Sequence, residues 1–144
     1  MSPASTRPMP VEELVENLLQ VFLPHEEVQL AYLYGSYVWG PWTSRSDIDI
    51  GVYVTPEADQ DPWFPIHLQD ELTSALPLQC EFDVRVLNRT GSKFNYKVIF
   101  RTPKILIRDE LLRVEFETRT LLEWYDMRPT YEMYRRELGE VLKG

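Results

Sequence analysis

Apolar residues at Val11, Leu14, Val15, Leu18, Leu19 and Phe22 recur every three or four positions, which predicts a helix over residues 10–22. Pro10 suits its first position, Glu12 and Glu13 suit its positive N-terminal end, and Pro24 stops it. The pattern then changes. Residues 28–34 (VQLAYLY) and 48–54 (IDIGVYV) are rich in β-branched and aromatic types, and residues 80–87 (CEFDVRVL) alternate; all three predict strands. A fourth, short strand is predicted over 104–108 (KILIR). The acidic, proline-containing stretch 56–65 reads as a loop, followed by a short helix over 66–75, and 92–100 reads as another helix. Residues 110–126 predict a helix with Leu111, Val114, Thr118, Leu121, Leu122 and Tyr125 along one face. Pro129 opens a last helix with Tyr131, Tyr134, Leu138 and Val141 on one face. Helices interleaved with strands predict an α/β (α+β) fold. No repeat or boundary divides the chain, so residues 1–144 are expected to form one domain, with 1–9 a disordered lead and 110–144 the C-terminal helices.

One segment, LYGSYVWGPWTSRSDIDIGVYV, carries candidate chemistry. It sets Gly35-Ser36 at the end of one predicted strand and, after ten intervening residues, Asp47-x-Asp49 at the next. Residues two apart in an extended chain share a face, with Cα atoms about 6.5–7 Å apart. Two carboxylates so spaced can share a pair of divalent ions about 3.5–4 Å apart. Gly35 permits close backbone approach to a phosphate, and Ser36 offers a hydroxyl and an N–H at the positive end of any helix begun there. Asp83, in the middle of an apolar strand, is the best third carboxylate. It would complete one metal's shell and could accept the proton of an attacking hydroxyl. Arg85 shares its face and could simply neutralise it. An Asx-turn at Ser46-Asp47 would explain one aspartate but leave Asp49 inside an apolar strand without a reason.

Composition narrows the partners. A hydrophobic fraction of 44% is ordinary for a globular domain. No apolar run approaches the roughly 20 residues of a membrane span, and the start has no signal-peptide core. Cys80, the single cysteine, reads as a reduced core thiol, and a cytoplasmic location is expected. A net charge of −8 argues against holding nucleic acid through its phosphates, so no direct nucleic-acid binding is expected. It does not oppose binding one nucleotide through divalent metal.

On Gly35-Ser36, Gly40, Ser46-Asp47-Ile48-Asp49-Ile50 and Phe82-Asp83-Val84, the chain resembles the DNA polymerase β-type nucleotidyltransferase superfamily, and most closely its minimal nucleotidyltransferase (MNT) group. Val86-Leu87-Asn88 and Arg113, Phe116, Glu117, Tyr125 and Asp126 fit less specifically. The resemblance covers roughly residues 11–140. It implies a mixed sheet flanked by helices, Mg²⁺ (two ions on Asp47, Asp49 and Asp83), and an NTP, usually ATP, with Gly35 and Ser36 on its β- and γ-phosphates. It further implies an antitoxin that adds AMP to a tyrosine of a HEPN ribonuclease toxin and so silences it. Homodimer and hetero-oligomer with the toxin both stay open. The family often has Ala-Arg-Gly shortly after Gly-Ser, where this chain has Val38-Trp39-Gly40; Arg45 is the candidate to supply the missing cation.

Two rivals remain. An aminoglycoside-type enzyme usually carries an extra drug-holding domain, for which this chain has little length to spare. A silent antitoxin acting by binding alone fits poorly with an intact acidic triad. Among the remaining residues, His25 and His67 lie far from the motif without metal-ligand spacing and read as surface or loop positions. Trp39 and Trp42 flank the Gly-Ser loop and could stack on a base or pack on the sheet; Trp63 is a candidate partner contact. Trp124, Tyr125, Tyr131 and Tyr134 are expected to pack the C-terminal helices together.

Overall fold

The computed structural model describes residues 7–127. Helix α1 (Val11–Phe22) leads into strand β1 (Val28–Tyr34), a single turn α2 (Ser36–Trp39) and strand β2 (Ile48–Val54). Then follow α3 (Pro56–Asp59), α4 (Phe64–Ala75), β3 (Phe82–Val86), α5 (Ser92–Ile99), β4 (Lys104–Ile107) and α6 (Glu110–Met127). The four strands form one mixed sheet in the order β3-β2-β1-β4, antiparallel except for the parallel β2–β3 pair. This is the predicted α+β architecture. The stretch expected to be a loop over 56–65 is partly helical: α3 occupies Pro56–Asp59, with proline at its start, and α4 begins at Phe64. The last helix predicted from Pro129 lies outside the described residues.

The sheet separates two cores. On one face Ala31, Leu33, Ile48, Ile50, Val52, Val54, Phe82 and Val84 meet Leu14, Leu18 and Phe22 of α1 and Leu68 and Leu72 of α4. On the other, Leu30, Tyr32 and Tyr34 meet Val98 and Ile99 of α5 and Phe116 of α6. Val28 and Leu30 reach opposite faces although only two residues apart, because the β1–β2 register shifts between them. Gly51 has a packing role: a Cβ there would lie 2.9 Å from Val98 Cγ1 and 3.1 Å from Leu87 Cδ1, so a side chain would push α5 off the sheet.

Helix α6 turns the opposite way from its apolar stripe. Phe116 and Thr120 are buried, whereas Leu111 is 70% and Leu122 63% exposed, with Val114, Leu121 and Tyr125 also on the outside. The inward side is held by polar groups. Tyr32 donates a 2.7 Å hydrogen bond to Glu117 Oε2, Arg113 pairs with Glu117 Oε1 at 3.1 Å, and Lys104 Nζ lies 3.8 Å from Glu117. Burial, and then donation to that carboxylate, push the Tyr32 hydroxyl far above its ordinary pKa. Trp124 stacks on Tyr96 of α5 at 4.6 Å. Of the aromatic residues expected to join the C-terminal helices, Trp124 therefore packs on α5, Tyr125 is exposed, and Tyr131 and Tyr134 lie outside the described residues.

Candidate active site

The register of the sheet brings the predicted carboxylates together. Asp49 is paired with Tyr34 across the antiparallel β1–β2 ladder and with Asp83 across the parallel β2–β3 ladder. Residues paired this way present side chains on one face, so Tyr34, Asp49 and Asp83 form a row across three strands. Asp47 precedes β2 by one residue, has the parity of Asp49, and is exposed. Along this face of β2 the cover thins step by step. Phe116 lies over Tyr53 with ring centroids 5.0 Å apart, α5 closes over Gly51, Asp49 is half-buried, and Asp47 is open to solvent.

Gly35 closes the other side of the row. Its φ is +83°, in the region favouring glycine, and an added Cβ would collide with Asp49 Oδ2 and sit 3.0 Å from Asp49 Cγ. The backbone at the end of β1 is thus pressed against the Asp49 carboxylate. The next residue, Ser36, opens the single turn of α2, whose 3.0 Å Trp39 N–H to Gly35 carbonyl bond closes the first helical ring.

The electrostatics of the row demand a counter-charge. The Asp49 carboxyl is pushed up to about 6, first by burial, then by the negative charges of Asp83 and Asp47. Among the described residues, Arg85 pairs with the row, its Nε 3.6 Å from Asp83 Oδ1; its guanidinium also sits 5.7 Å from the Phe94 ring. At that distance, on a half-exposed arginine, Asp83 is not neutralised by a close bidentate pair. Three carboxylates, all oxygen donors, with the proton affinity of Asp49 raised by the other two, suit a hard divalent cation such as Mg²⁺. Among the described residues, no three His, Cys, Asp or Glu side chains are closed around one point as an ion would hold them. The donor set fits, but carboxylate rotation must close it. Tyr34 shares the row, and its hydroxyl is pushed well above its ordinary range by burial and by Asp49 and Asp83.

Arg45 is exposed on the loop before β2, where it lines, with Asp47, Cys80 and Glu81, a hollow of about 330 Å³. The arginine that bonds to the Gly-Ser turn is Arg7, at 2.8 Å from the Tyr37 carbonyl and 3.2 Å from that of Ser36. Sequence reasoning assigned Arg7 to a disordered lead, and nothing in its neighbourhood pattern marks it. Trp42 is buried with its ring 4.7 Å from Tyr37, so it packs and does not face a ligand. Trp39 is 55% exposed and, with Tyr34, Gly35, Tyr96, Lys97 and Phe100, lines a mostly aromatic slot of about 270 Å³ beside the turn. Cys80 is half-buried against the first core. His25 and His67 line a separate cavity of about 480 Å³, where His25 is hydrogen-bonded to Glu71. That cavity also holds Glu27 and Thr55, which flank the ends of β1 and β2 remote from Gly35 and Asp49.

The family model described as Polymerase beta, Nucleotidyltransferase matches residues 16–111. This chain belongs to that nucleotidyltransferase family. No curated protein matches the sequence. Solved structures share the fold. A double mutant of the toxin–antitoxin MntA–HpeT is 18% identical with a TM-score of 0.67, covering 90% of this chain and 98% of its own. A toxin–antitoxin with AMP-PNP is 20% identical with a TM-score of 0.66, covering 90% and 98%. The tri-AMPylated HEPN toxin in complex with MNT antitoxin from Shewanella oneidensis gives 21% identity and a TM-score of 0.62, covering 93% and 100%. The matched region contains Gly35, Ser36, Asp47, Asp49 and Asp83, so in this family the chain is a nucleotidyltransferase. No described helix is long and apolar enough to cross a membrane.

Proposed function

We propose that this nucleotidyltransferase is a cytoplasmic antitoxin that transfers AMP from ATP to a tyrosine of a HEPN ribonuclease toxin. The observation that carries the reading is the row formed by Asp49 and Asp83 on paired strands, with Gly35 wedged against Asp49. Asp47, Asp49 and Asp83 would hold two Mg²⁺ ions. When bound, these supply positive charge that offsets the triphosphate and lowers the cost of ionising a hydroxyl.

The remaining roles belong to the chain. Gly35 lets the triphosphate approach the backbone, and the Ser36 hydroxyl and N–H donate to the β- and γ-phosphates at the positive end of α2. The slot of Trp39, Tyr96 and Phe100 takes the base by stacking, with Lys97 at its edge. It lies on the β1 side of the site, whereas Asp83 lies on the β3 side, which leaves the acceptor to enter beside Asp83. There the Asp83 carboxylate takes the proton of the tyrosine hydroxyl. The phenolic oxygen attacks the α-phosphorus, the bond to the β-phosphate oxygen breaks, and pyrophosphate leaves with that electron pair. Most of the rate gain is positioning and charge stabilisation. Arg45, exposed on the loop beside Asp47, would meet a phosphate or the partner instead of the Gly-Ser turn.

The protein partner rests on the fold shared with antitoxins solved in toxin–antitoxin assemblies, one of them beside an AMPylated toxin. The net charge of −8 complements an RNA-handling partner with basic groups near its site. Co-expression with the toxin, followed by intact-mass measurement, is the test. A mass gain of one or more AMP units that disappears with Asp47→Asn supports the reading. A toxin neutralised without a mass change leaves binding alone, and label transferred from ATP to an aminoglycoside favours a small-molecule acceptor.

A further inference from the structure

The turn that begins at Gly35 is too short to hold itself. Helix α2 has four residues, and one helical turn fixes several backbone angles for one or two hydrogen bonds. Gly40 N–H donates to the Ser36 carbonyl at 2.7 Å, and Gly40 then departs with φ +57°. Something outside the turn must keep it in place.

The structure shows what does. Ahead of α1, the Arg7 guanidinium donates to two of the turn's carbonyls, from Nε to Tyr37 and from Nη2 to Ser36. The same guanidinium lies 5.9 Å from the Tyr37 ring centroid. Tyr37 is fully buried, and its hydroxyl donates to the Met9 carbonyl at 2.5 Å and lies 3.2 Å from the Met9 N–H. A Cβ on Gly40 would sit 3.0 Å from Arg7 Nη2, so Gly40 leaves room for the guanidinium. A cation bonded to carbonyls at the end of a helical turn also complements their negative partial charge. The opposite end of that turn carries the Ser36 N–H and hydroxyl.

We infer that Arg7 is a positioning residue of the nucleotide cradle: with Tyr37 and Met9 it straps the α2 turn so that the Gly35–Ser36 donors are preset for the triphosphate. This rests on the reading of Gly35–Ser36 as the phosphate-binding turn. Arg7 touches carbonyl oxygens and no reacting atom, so its contribution is to binding common to ground and transition states. Loss of such binding raises KM and leaves kcat nearly unchanged.

The test compares the full-length protein with Arg7→Met and Arg7→Lys. Met keeps the length of the stem without the donors. Lys keeps the charge but cannot span both carbonyls as a fork. With the wild type transferring AMP, KM for Mg·ATP should rise about tenfold in Arg7→Met, equivalent to about 1.4 kcal/mol. It should rise about threefold in Arg7→Lys, with kcat within about twofold in both. In the nucleotide-free protein, hydrogen exchange of the Trp39 and Gly40 amides should accelerate about tenfold in Arg7→Met. An unchanged KM in Arg7→Met overturns the inference even where the melting temperature falls, because a purely structural contact would do that. Unchanged exchange at Trp39 and Gly40 overturns it equally. A wild type that binds no nucleotide, seen by thermal shift with Mg·ATP, overturns instead the reading on which it rests. Accelerated exchange would then show a strap with no nucleotide to serve.

Discussion

The two faces of strand β2 carry adjacent residues into opposite fates. Ile48, Ile50, Val52 and Val54 point into the core under α1 and α4 and are at most 1% exposed. Asp47, Asp49, Gly51 and Tyr53 point the other way, under a cover of α5 and α6 that stops before the end of the strand. One face is an uninterrupted apolar surface, which is what stabilises a fold. The other grades from packed to open, and at its open end sit charges that oppose folding when no cation is present. The difference teaches that the same strand serves stability and chemistry separately, so each can be removed without the other.

The largest effect should come from the open face. Asp49→Asn should reduce nucleotidyl transfer about a thousandfold or more, as should Asp47→Asn, with circular dichroism unchanged. In the metal-free protein Asp49→Asn should at the same time raise the melting temperature at pH 7–8. The Asp49 carboxyl titrates at about 6 in the fold against 3.8 in its reference state. A raised carboxyl pKa means that the folded state binds the proton more tightly, so stability falls as pH rises from about 4 to about 6, and the penalty is complete above that range. The gain from Asn should therefore vanish below about pH 4. A melting temperature lowered by Asn at neutral pH would break the comparison.

On the closed face the signs reverse. Ile50→Ala should cost about 3 kcal/mol in urea unfolding, by loss of buried methyl groups and the cavity left behind. Activity per folded molecule should stay within about twofold. A variant that stays stable but loses transfer would show that the two faces are coupled.

Asp83→Asn should lower kcat about a hundredfold, the size of one general-base contribution, and KM for ATP should change less than kcat. Equal losses in Asp83→Asn and Asp49→Asn would instead make Asp83 chiefly a cation ligand. A smaller effect follows from proton–cation competition at Asp49. With limiting Mg²⁺, transfer should decline as pH falls through about 6, and added Mg²⁺ should move that midpoint lower. A midpoint that ignores Mg²⁺ would separate the Asp49 proton from cation binding. The smallest expected change belongs to α6. Leu122→Gln, on its exposed stripe, should alter stability by no more than about 0.5 kcal/mol, against about 3–5 kcal/mol for Phe116→Ala on its covered side.

Local pattern already specified most of the elements. The spacing of Val11 to Phe22 makes α1, the β-branched runs make β1 and β2, and Gly-Ser-x10-Asp-x-Asp names Gly35, Ser36, Asp47 and Asp49 before any coordinates are known. Those are properties of neighbours in the chain, and periodicity and turn chemistry act between neighbours. What joins Asp49 to Asp83, 34 positions later, is the parallel register of β2 and β3, which no local pattern encodes. The direction of α6 was likewise undecidable from its own residues. Its period shows which side chains share a face, but the tertiary structure turned Phe116 and the Glu117–Arg113–Tyr32 cluster inward, because a half-buried carboxylate with three partners and an aromatic ring filled the space that the leucines would have taken. Arg7 is the extreme case. Alone it is one charge among prolines, and only the fold brings its guanidinium to two carbonyls 29 and 30 residues away.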